Sequence, residues 1–306
     1  AFGHAGRKCS AGSTVILVGS VAQSERFRRQ LLDSVNSLHV AHPQDIESQM
    51  GPVAQKPEEK LLRGLTTLGP GERWLIQPKE LDETGRLWSP GVREGVKPGS
   101  EYHMTEYFGP ILGIMTADTL EEAIELQNAP DYGLTAGLHS LDADDLELWL
   151  SKVQAGNVYV NRGITGAIVR RQPFGGWKKS TVGSGTKAGG PNYLVALTDW
   201  EPDHATATTV PQSVAVREVL ATAEGASLCG AKDFEFIKRS ASSDAHAWET
   251  EFGYGHDPSK LGVERNILRY LPTQVLVRAD ESAPAAEVVR VVLAGLAAGA
   301  PIALST

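Results

Sequence analysis

The sequence predicts an α/β fold in two parts, and three observations predict it. Short apolar, β-branched runs alternate with segments of helical periodicity along residues 15–160. A length of 306 residues suits two domains by the usual prior of ~150 residues each, and such a chain buries a core without disulfides or metals. Near residue 200 the alternation lapses: residues 202–209 are polar and Ala/Thr-rich with no apolar face, so a boundary is expected between residues 1–200 and 201–306.

Element by element, residues 15–18 are an apolar run that reads as a buried strand. Ser24 then caps a helix carrying Phe27, Leu31, Leu32, Val35 and Leu38 on one face. A second helix is predicted over residues 57–68, with Leu61, Leu62, Leu65 and Leu68 sharing a face and Gly69-Pro70 stopping it. Residues 74–76 and 111–115 read as strands. Thr119-Leu120-Glu121-Glu122 is a capping box, in which hydroxyl and carboxylate satisfy the orphan amides of a first turn; its helix ends at Asn128-Ala129-Pro130. Asp142 caps a further helix through Leu150 to Val153, closed by Gly156, and residues 157–160 alternate as a strand. Residues 183–190 are glycine-rich. In the second part, residues 267–270 and 274–277 are predicted strands. Pro284 opens a helix with Val288, Val289, Val292 and Leu296, and residues 302–304 resemble an unfinished strand. No internal repeat and no long low-complexity tract is present.

With 37 acidic and 29 basic side chains the net charge is −8, which disfavours electrostatic binding to nucleic acid or anionic lipid. Two cysteines, Cys9 and Cys229, are too few for a secreted disulfide framework, so a reducing compartment, the cytoplasm, is expected. The nearly apolar residues 291–304 are broken by Gly295, Gly299 and Pro301 and fall short of the ~20 residues a membrane helix needs. The first residues carry no initiator Met, basic region or apolar core of a signal peptide, and a start inside a longer protein is expected.

Three segments can carry chemistry. Cys9 lies in Ala5-Gly6-Arg7-Lys8-Cys9-Ser10-Ala11-Gly12, whose small residues leave the sulfur open; Arg7 and Lys8 place positive charge beside it, and backbone amides can receive an anion formed on attack. The alternative is a buried structural thiol, the commoner fate of a free cysteine. Glu106-Tyr107-Phe108-Gly109-Pro110 pairs a carboxylate, able to accept from both hydroxyls of a ribose, with rings able to back a planar cofactor; a solvated loop with a core anchor is the alternative. The loop Asn161-Arg162-Gly163-Ile164-Thr165-Gly166-Ala167-Ile168, continuing to Gln172-Pro173-Phe174-Gly175-Gly176-Trp177-Lys178-Lys179-Ser180, can offer backbone amides to a small carboxylate or phosphate. Its basic residues could also be read as a nucleic-acid patch, against which stand the negative charge and sparse aromatics. Gly183-Ser184-Gly185-Thr186-Lys187-Ala188-Gly189 misses the dinucleotide spacing, and Lys179-Ser180-Thr181 lacks the phosphate-loop glycine. His39 and His42 fit a metal pair only loosely, and no metal is expected.

In order and spacing these three segments resemble the aldehyde dehydrogenase superfamily. With residues 165–168 and Gly189-Gly190-Pro191-Asn192-Tyr193-Leu194, the chain is similar to the L-glutamate γ-semialdehyde (1-pyrroline-5-carboxylate) dehydrogenases in their bifunctional proline utilization A form, over residues 1 to about 200. The resemblance implies an aldehyde dehydrogenase catalytic domain followed by a partial α/β accessory domain over 201–306. It implies NAD as cofactor, Cys9 as nucleophile through a thiohemiacetal and a thioester, and the Cys9 amide as part of the oxyanion site. Glu106 would bind the nicotinamide ribose, and Phe108 would lie beside the nicotinamide. Gly166 and Ala167, helped by Ser10, would anchor the substrate carboxylate, with Phe174 on its aliphatic chain. The family's cofactor domain, general base and side-chain oxyanion donor precede the nucleophile, whereas eight residues do so here, so the chain alone is expected not to turn over. An upstream FAD-dependent proline dehydrogenase domain and a homo-oligomer are implied partners. Residues 262–270 and the Ala-rich helix resemble the family's C-terminal domain, which implies a structural or assembly role. The competing expectations are a non-catalytic interaction or dimerisation module, and the same chemistry on a different aldehyde.

Overall fold

The computed structural model describes residues 1–182, 185–201 and 210–305. Gly183, Ser184 and the polar residues 202–209 lie outside these. Two compact units divide the chain, Ala1–Ala196 and Leu197–Thr306.

In the first unit, β1 (Thr14–Val18) leads through a short turn to α1 (Glu25–Asn36), where the Ser24 hydroxyl accepts from Phe27 N at 3.2 Å. Next come α2 (Glu59–Thr66), β2 (Arg73–Ile76), β3 (Gly91–Glu94) and the single turn α3 (Glu101–Met104). Beyond them lie β4 (Ile111–Ala117) and α4 (Leu120–Asn128). The Thr119 hydroxyl accepts from Glu122 N at 3.2 Å, and the Glu122 carboxylate reaches back to Asp118 N at 2.7 Å. Two short strands, β5 (Tyr132–Gly133) and β6 (Thr135–Leu138), precede α5 (Ala143–Lys152), capped by Asp142 onto Asp144 N, then β7 (Asn157–Val160) and β8 (Trp177–Lys178).

The main sheet runs β1-β4-β3-β2, parallel except for β2. Central β4 is apolar almost throughout because both its faces are covered. Alternate residues serve opposite sides. Ile111, Met115 and Ala117 meet Leu61 and Leu65 of α2 and Ala123 and Leu126 of α4, whereas Ile114 joins Val92 and Val35 of α1. A parallel pair, β6 and β7, packs Ala136 with Ile124, Trp149 and Val153, and β5 pairs antiparallel with β8.

Several expectations need correction. Helix α2 stops at Thr66, ahead of Gly69-Pro70, so Leu68 lies outside it and Leu62 is 39% exposed; the seam is Leu61, Gly64 and Leu65. Leu38 lies beyond α1, which ends at Asn36. Strand β3 has no counterpart in the sequence reading, because Arg93 and Glu94 look like solvated charges. Both are buried and paired: Arg93 Nη1 donates to Glu72 at 2.8 Å with each side chain 2% exposed, and Arg28 meets Glu94 at 2.6 Å while Arg73 holds its other oxygen. Burial works against ionisation of Glu94, but the two arginines outweigh it and hold its carboxyl below the ordinary glutamate range.

The second unit comprises α6 (Val214–Gly225), capped by Ser213, and α7 (Ala231–Ala247), which widens into a π turn over Trp248–Phe252. A parallel pair follows, β9 (Val275–Arg278) and β10 (Ile302–Ser305), joined through α8 (Ala285–Ala297). Val216, Leu220, Phe234, Ile237 and Leu293 form its core, and Arg290 grips Asp244 through both nitrogens at 2.7 and 3.0 Å. The strand expected at residues 267–270 is absent; only Leu268 bridges, to His256, because the run lacks a continuous partner. Among the described residues no helix is long and apolar enough to cross a membrane.

Two measurements check this scaffold. Glu72→Gln leaves the Arg93 charge buried without its counter-ion and should cost about 3–5 kcal/mol in urea unfolding of the first unit. Because the folded-state pKa of Glu94 is depressed, its contribution is present above the ordinary glutamate value and is lost as pH falls towards the folded one. Acid titration of the native protein should therefore show a steeper loss of stability than that of Glu94→Gln.

Candidate active site

The Cys9 loop begins with a turn at Gly3–Gly6 in which His4, Ala5 and Gly6 all have positive φ, and Ala5 anchors it beside Met50 and Val53. Gly6 (φ +68) is the hinge: a Cβ there would collide with the Gly109 carbonyl and lie 3.2 Å from Pro110 N. This approach brings the Cys9 loop against residues 106–110. The Lys8 carbonyl accepts from Ala11 N at 3.0 Å, a turn that leaves Cys9 exposed while Ser10 is 6% exposed.

Residues 106–110 are fixed from behind. Tyr107 is buried against Gly64 of α2, where a Cβ would strike the tyrosine ring, and stacks on Tyr102 at 5.1 Å. Tyr102 in turn carries the Arg93 guanidinium on its ring at 4.3 Å, and Trp74 lies on the other flank of that guanidinium at 4.5 Å. Anchored so, the chain turns through Phe108 at φ +59, a conformation a non-glycine residue adopts at a cost of about 1–3 kcal/mol, and exposes Glu106. The half-buried Phe108 ring receives the Arg7 guanidinium at 5.3 Å. Gly6, Gly12, Ser13, Glu106, Phe108 and Gly109 line one small recess.

Ile164 brings the third segment alongside: a Cβ on Gly12 would stand 3.4 Å from its Cδ1 and one on Gly137 2.6 Å from its Cγ2. The loop is pinned at Asn161, whose amide bonds Ser140 N and O at 3.1 and 2.8 Å, and at Ile168, whose N–H donates to the Gln172 side chain at 3.0 Å. Between these pins Gly166 (φ +86) and Ala167 are exposed. Phe174, half-buried, is placed separately, by a bridge to Ala188 with bonds of 3.0 and 2.8 Å.

The sequence reading missed the residues that hold these. Asn157 of β7 accepts from Gly175 N at 3.1 Å and donates to Pro173 O at 3.0 Å. Lys187, from the glycine-rich stretch set aside above, donates to the carbonyls of Gly156 and Gly175 at 2.5 and 2.6 Å, and burial pushes its pKa down to about 8. A lone lysine amid small residues was the available signal. Lys178 is used on the carbonyls of Asn128 and Pro130, and Lys179 pairs with Asp131. His39 and His42 bond different carboxylates, Asp45 and Asp82, each at 2.7 Å, and the described residues hold no group of three or more metal-ligating side chains.

The site thus joins an exposed thiol on a glycine-built turn to a segment bearing an exposed carboxylate and an aromatic face. The sequence model of the aldehyde dehydrogenase family matches residues 1–201, and the chain belongs to that family. It is 36% identical over 196 residues to a 1-pyrroline-5-carboxylate dehydrogenase of Geobacillus sp. (strain WCH70), and 34% to that of Bacillus subtilis (strain 168). Each match covers 64% of this chain and 37% of the relative. Among solved structures, proline utilization A from Corynebacterium freiburgense superposes with a TM-score of 0.89 at 48% identity, covering 100% of this chain and 30% of that one. A Thermus 1-pyrroline-5-carboxylate dehydrogenase with bound NAD does so with a TM-score of 0.56 at 34% identity, covering 64% of this chain and 37% of that one. The chain thus spans well under half the length of these relatives.

Gly6→Ala puts a methyl into the Gly109 carbonyl from a backbone already left-handed. Iodoacetamide should alkylate Cys9 faster than half-buried Cys229 in the native protein, and the substitution should cut the Cys9 rate by about tenfold while leaving Cys229 unchanged, as peptide mass mapping would show.

Proposed function

We propose that this chain is part of an NAD-dependent dehydrogenase that oxidises L-glutamate γ-semialdehyde to L-glutamate, the step that completes proline catabolism. The observation that carries the reading is the exposed Cys9 sulfur on a loop packed backbone to backbone against the segment bearing Glu106 and Phe108. The exposed carboxylate suits the vicinal hydroxyls of the nicotinamide ribose, and the Phe108 ring suits a planar face; bound there, NAD supplies the hydride acceptor.

Cys9 as thiolate adds to the aldehyde carbon, forming the S–C bond and moving the carbonyl electron pair onto oxygen. The Cys9 backbone amide is one donor to that oxyanion, held in place before reaction by the turn from Lys8 to Ala11. Loss of hydride from carbon leaves a thioester on Cys9, and water cleaves it to the acid and the free thiol. The substrate's α-carboxylate is received by the exposed turn at Gly166 and Ala167 with Ser10, and its methylene chain packs on Phe174. Relatives named 1-pyrroline-5-carboxylate dehydrogenase, at identities above 30%, support the choice of substrate, because that cyclic imine hydrolyses to the open-chain aldehyde.

In this reading residues 1–200 are catalytic, and residues 201–306 form an accessory domain with a structural or assembly role. The NAD-binding and FAD-dependent proline dehydrogenase domains lie upstream in a cytoplasmic, homo-oligomeric parent.

The test is NADH formation from glutamate semialdehyde by the complete polypeptide, with acetaldehyde as control. Turnover on the semialdehyde, weak activity on acetaldehyde and a fall of at least ~10³-fold in Cys9→Ala are expected. A folded parent inactive on both aldehydes would transfer the assignment to a non-catalytic dimerisation module, and equal activity on both would leave the chemistry but remove the carboxylate anchor.

A further inference from the structure

We propose that Lys187 is a positioning residue of the substrate pocket, its ammonium holding residues 173–176 against the start of β7 so that the Phe174 ring stays where the aldehyde's chain must lie. The inference deepens the proposed function and rests on it for the identity of the ligand, though its geometry stands independently.

Gly156 and Gly175 approach so closely that a Cβ on Gly156 would strike the Gly175 carbonyl and lie 2.6 Å from Gly176 Cα. Their carbonyl oxygens consequently converge, each the negative end of a peptide dipole. A cation between them removes the repulsion and satisfies both acceptors. The Lys187 ammonium does this at 2.5 and 2.6 Å, with Asn157 Oδ1 as a more distant third acceptor at 3.4 Å. The lysine stem adds contact, since a Cβ on Gly175 would touch Lys187 Cγ at 3.0 Å.

Among the described residues, the other hydrogen bonds of the segment lead back to the same two places. Asn157 binds Pro173 O and Gly175 N, and Ala188, adjacent to Lys187, exchanges both backbone bonds with Phe174. Phe174 itself therefore has no rigid element of its own; its backbone is a bridge between Asn157 and the Lys187-Ala188 pair. Among the described residues, the partners of the ammonium are oxygens of uncharged groups, so its task is to hold backbone, and the burial that lowers its pKa is the cost of placing it there. Among cationic side chains, a single ammonium on a flexible stem suits two convergent carbonyls better than the planar arginine fork.

The experiment uses the complete polypeptide carrying Lys187→Met, with Lys187→Arg as the charge-retaining variant. In Lys187→Met the KM for glutamate semialdehyde should rise about tenfold with kcat within about threefold, while Lys187→Arg recovers part of the loss. Amide exchange at residues 174–176, the segment's N–H groups, should accelerate with β4 unchanged, and the iodoacetamide rate at Cys9 should hold. If Lys187→Met does not fold, Lys187→Gln, which keeps a donor but no charge, is put through the same comparison. Unchanged exchange in residues 174–176, or a fall in kcat at constant KM, overturns the proposal. A native protein inactive on the semialdehyde would instead overturn the substrate reading, and exchange alone would then decide the role of Lys187.

Discussion

The candidate site depends on one close approach, Gly6 against the carbonyl of Gly109. Two loops about a hundred residues apart in sequence meet there without any side chain between them, and no residue with a Cβ could stand at the first position. From this contact follow the Arg7 guanidinium on the Phe108 ring, the turn that exposes Cys9 while burying Ser10, and the recess shared with Glu106. Backbone contact also confers stiffness: neither partner has rotamers with which to accommodate a displacement. In the proposed reading, where Cys9 meets a cofactor and an aldehyde, such a nucleophile is better held by backbone than by flexible side chains.

Behind that contact stands a column of alternating charge and ring: Trp74, Arg93, Tyr102 and Tyr107, with Glu72 neutralising the arginine from the side. Burying an ion pair this deeply gains little net stability over an apolar pair of the same shape. It does fix geometry, because the guanidinium satisfies both the Glu72 carboxylate and the Gly64 carbonyl. Gly64 is also where Tyr107 packs, so one cation sets the relation of α2, β3 and the Glu106 loop. The left-handed Phe108 is tolerable only because its neighbours on either side, Tyr107 and Gly109, are so held.

Helices with local signals were legible in the sequence: Ser24, Thr119 and Asp142 cap where their chemistry says they should. Strands β1, β4 and β7 were legible as apolar or alternating runs. Strand β3 was not, since Arg93 and Glu94 are disguised by pairing with residues far along the chain, and helices α6 and α7 went unread although Ser213 caps the first and Gly230 precedes the second. Conversely residues 267–270 had strand composition but no neighbouring strand to complete a ladder. In the site, the exposed candidates Cys9, Glu106 and Gly166 were singled out by motif and spacing. The contacts around the site, Arg7 on Phe108 and Asn157 and Lys187 on residues 173–176, are long-range and no local window contains them.

The basic residues around the third segment illustrate why charge in sequence is a poor guide to ligand. Lys178 is committed to the carbonyls of Asn128 and Pro130 at the end of α4, where a helix leaves its last acceptors without intrahelical partners. Arg93 does the same for Gly64 near the end of α2, and Lys187 for the two glycine carbonyls of the loop. In each case a tight turn or close packing leaves carbonyls turned inward, and a cation from a distant element meets them. Desolvation lowers the pKa of Lys178 as it does that of Lys187, the mark of an ammonium spent on structure. In the proposed reading an anionic substrate at Gly166 and Ala167 is met chiefly by backbone dipoles. Their loop is pinned by neutral side-chain amides, Asn161 on Ser140 and Gln172 on Ile168, while Lys187 holds the neighbouring residues 173–176, so the cations stabilise the surroundings of the anchor and not the anchor itself.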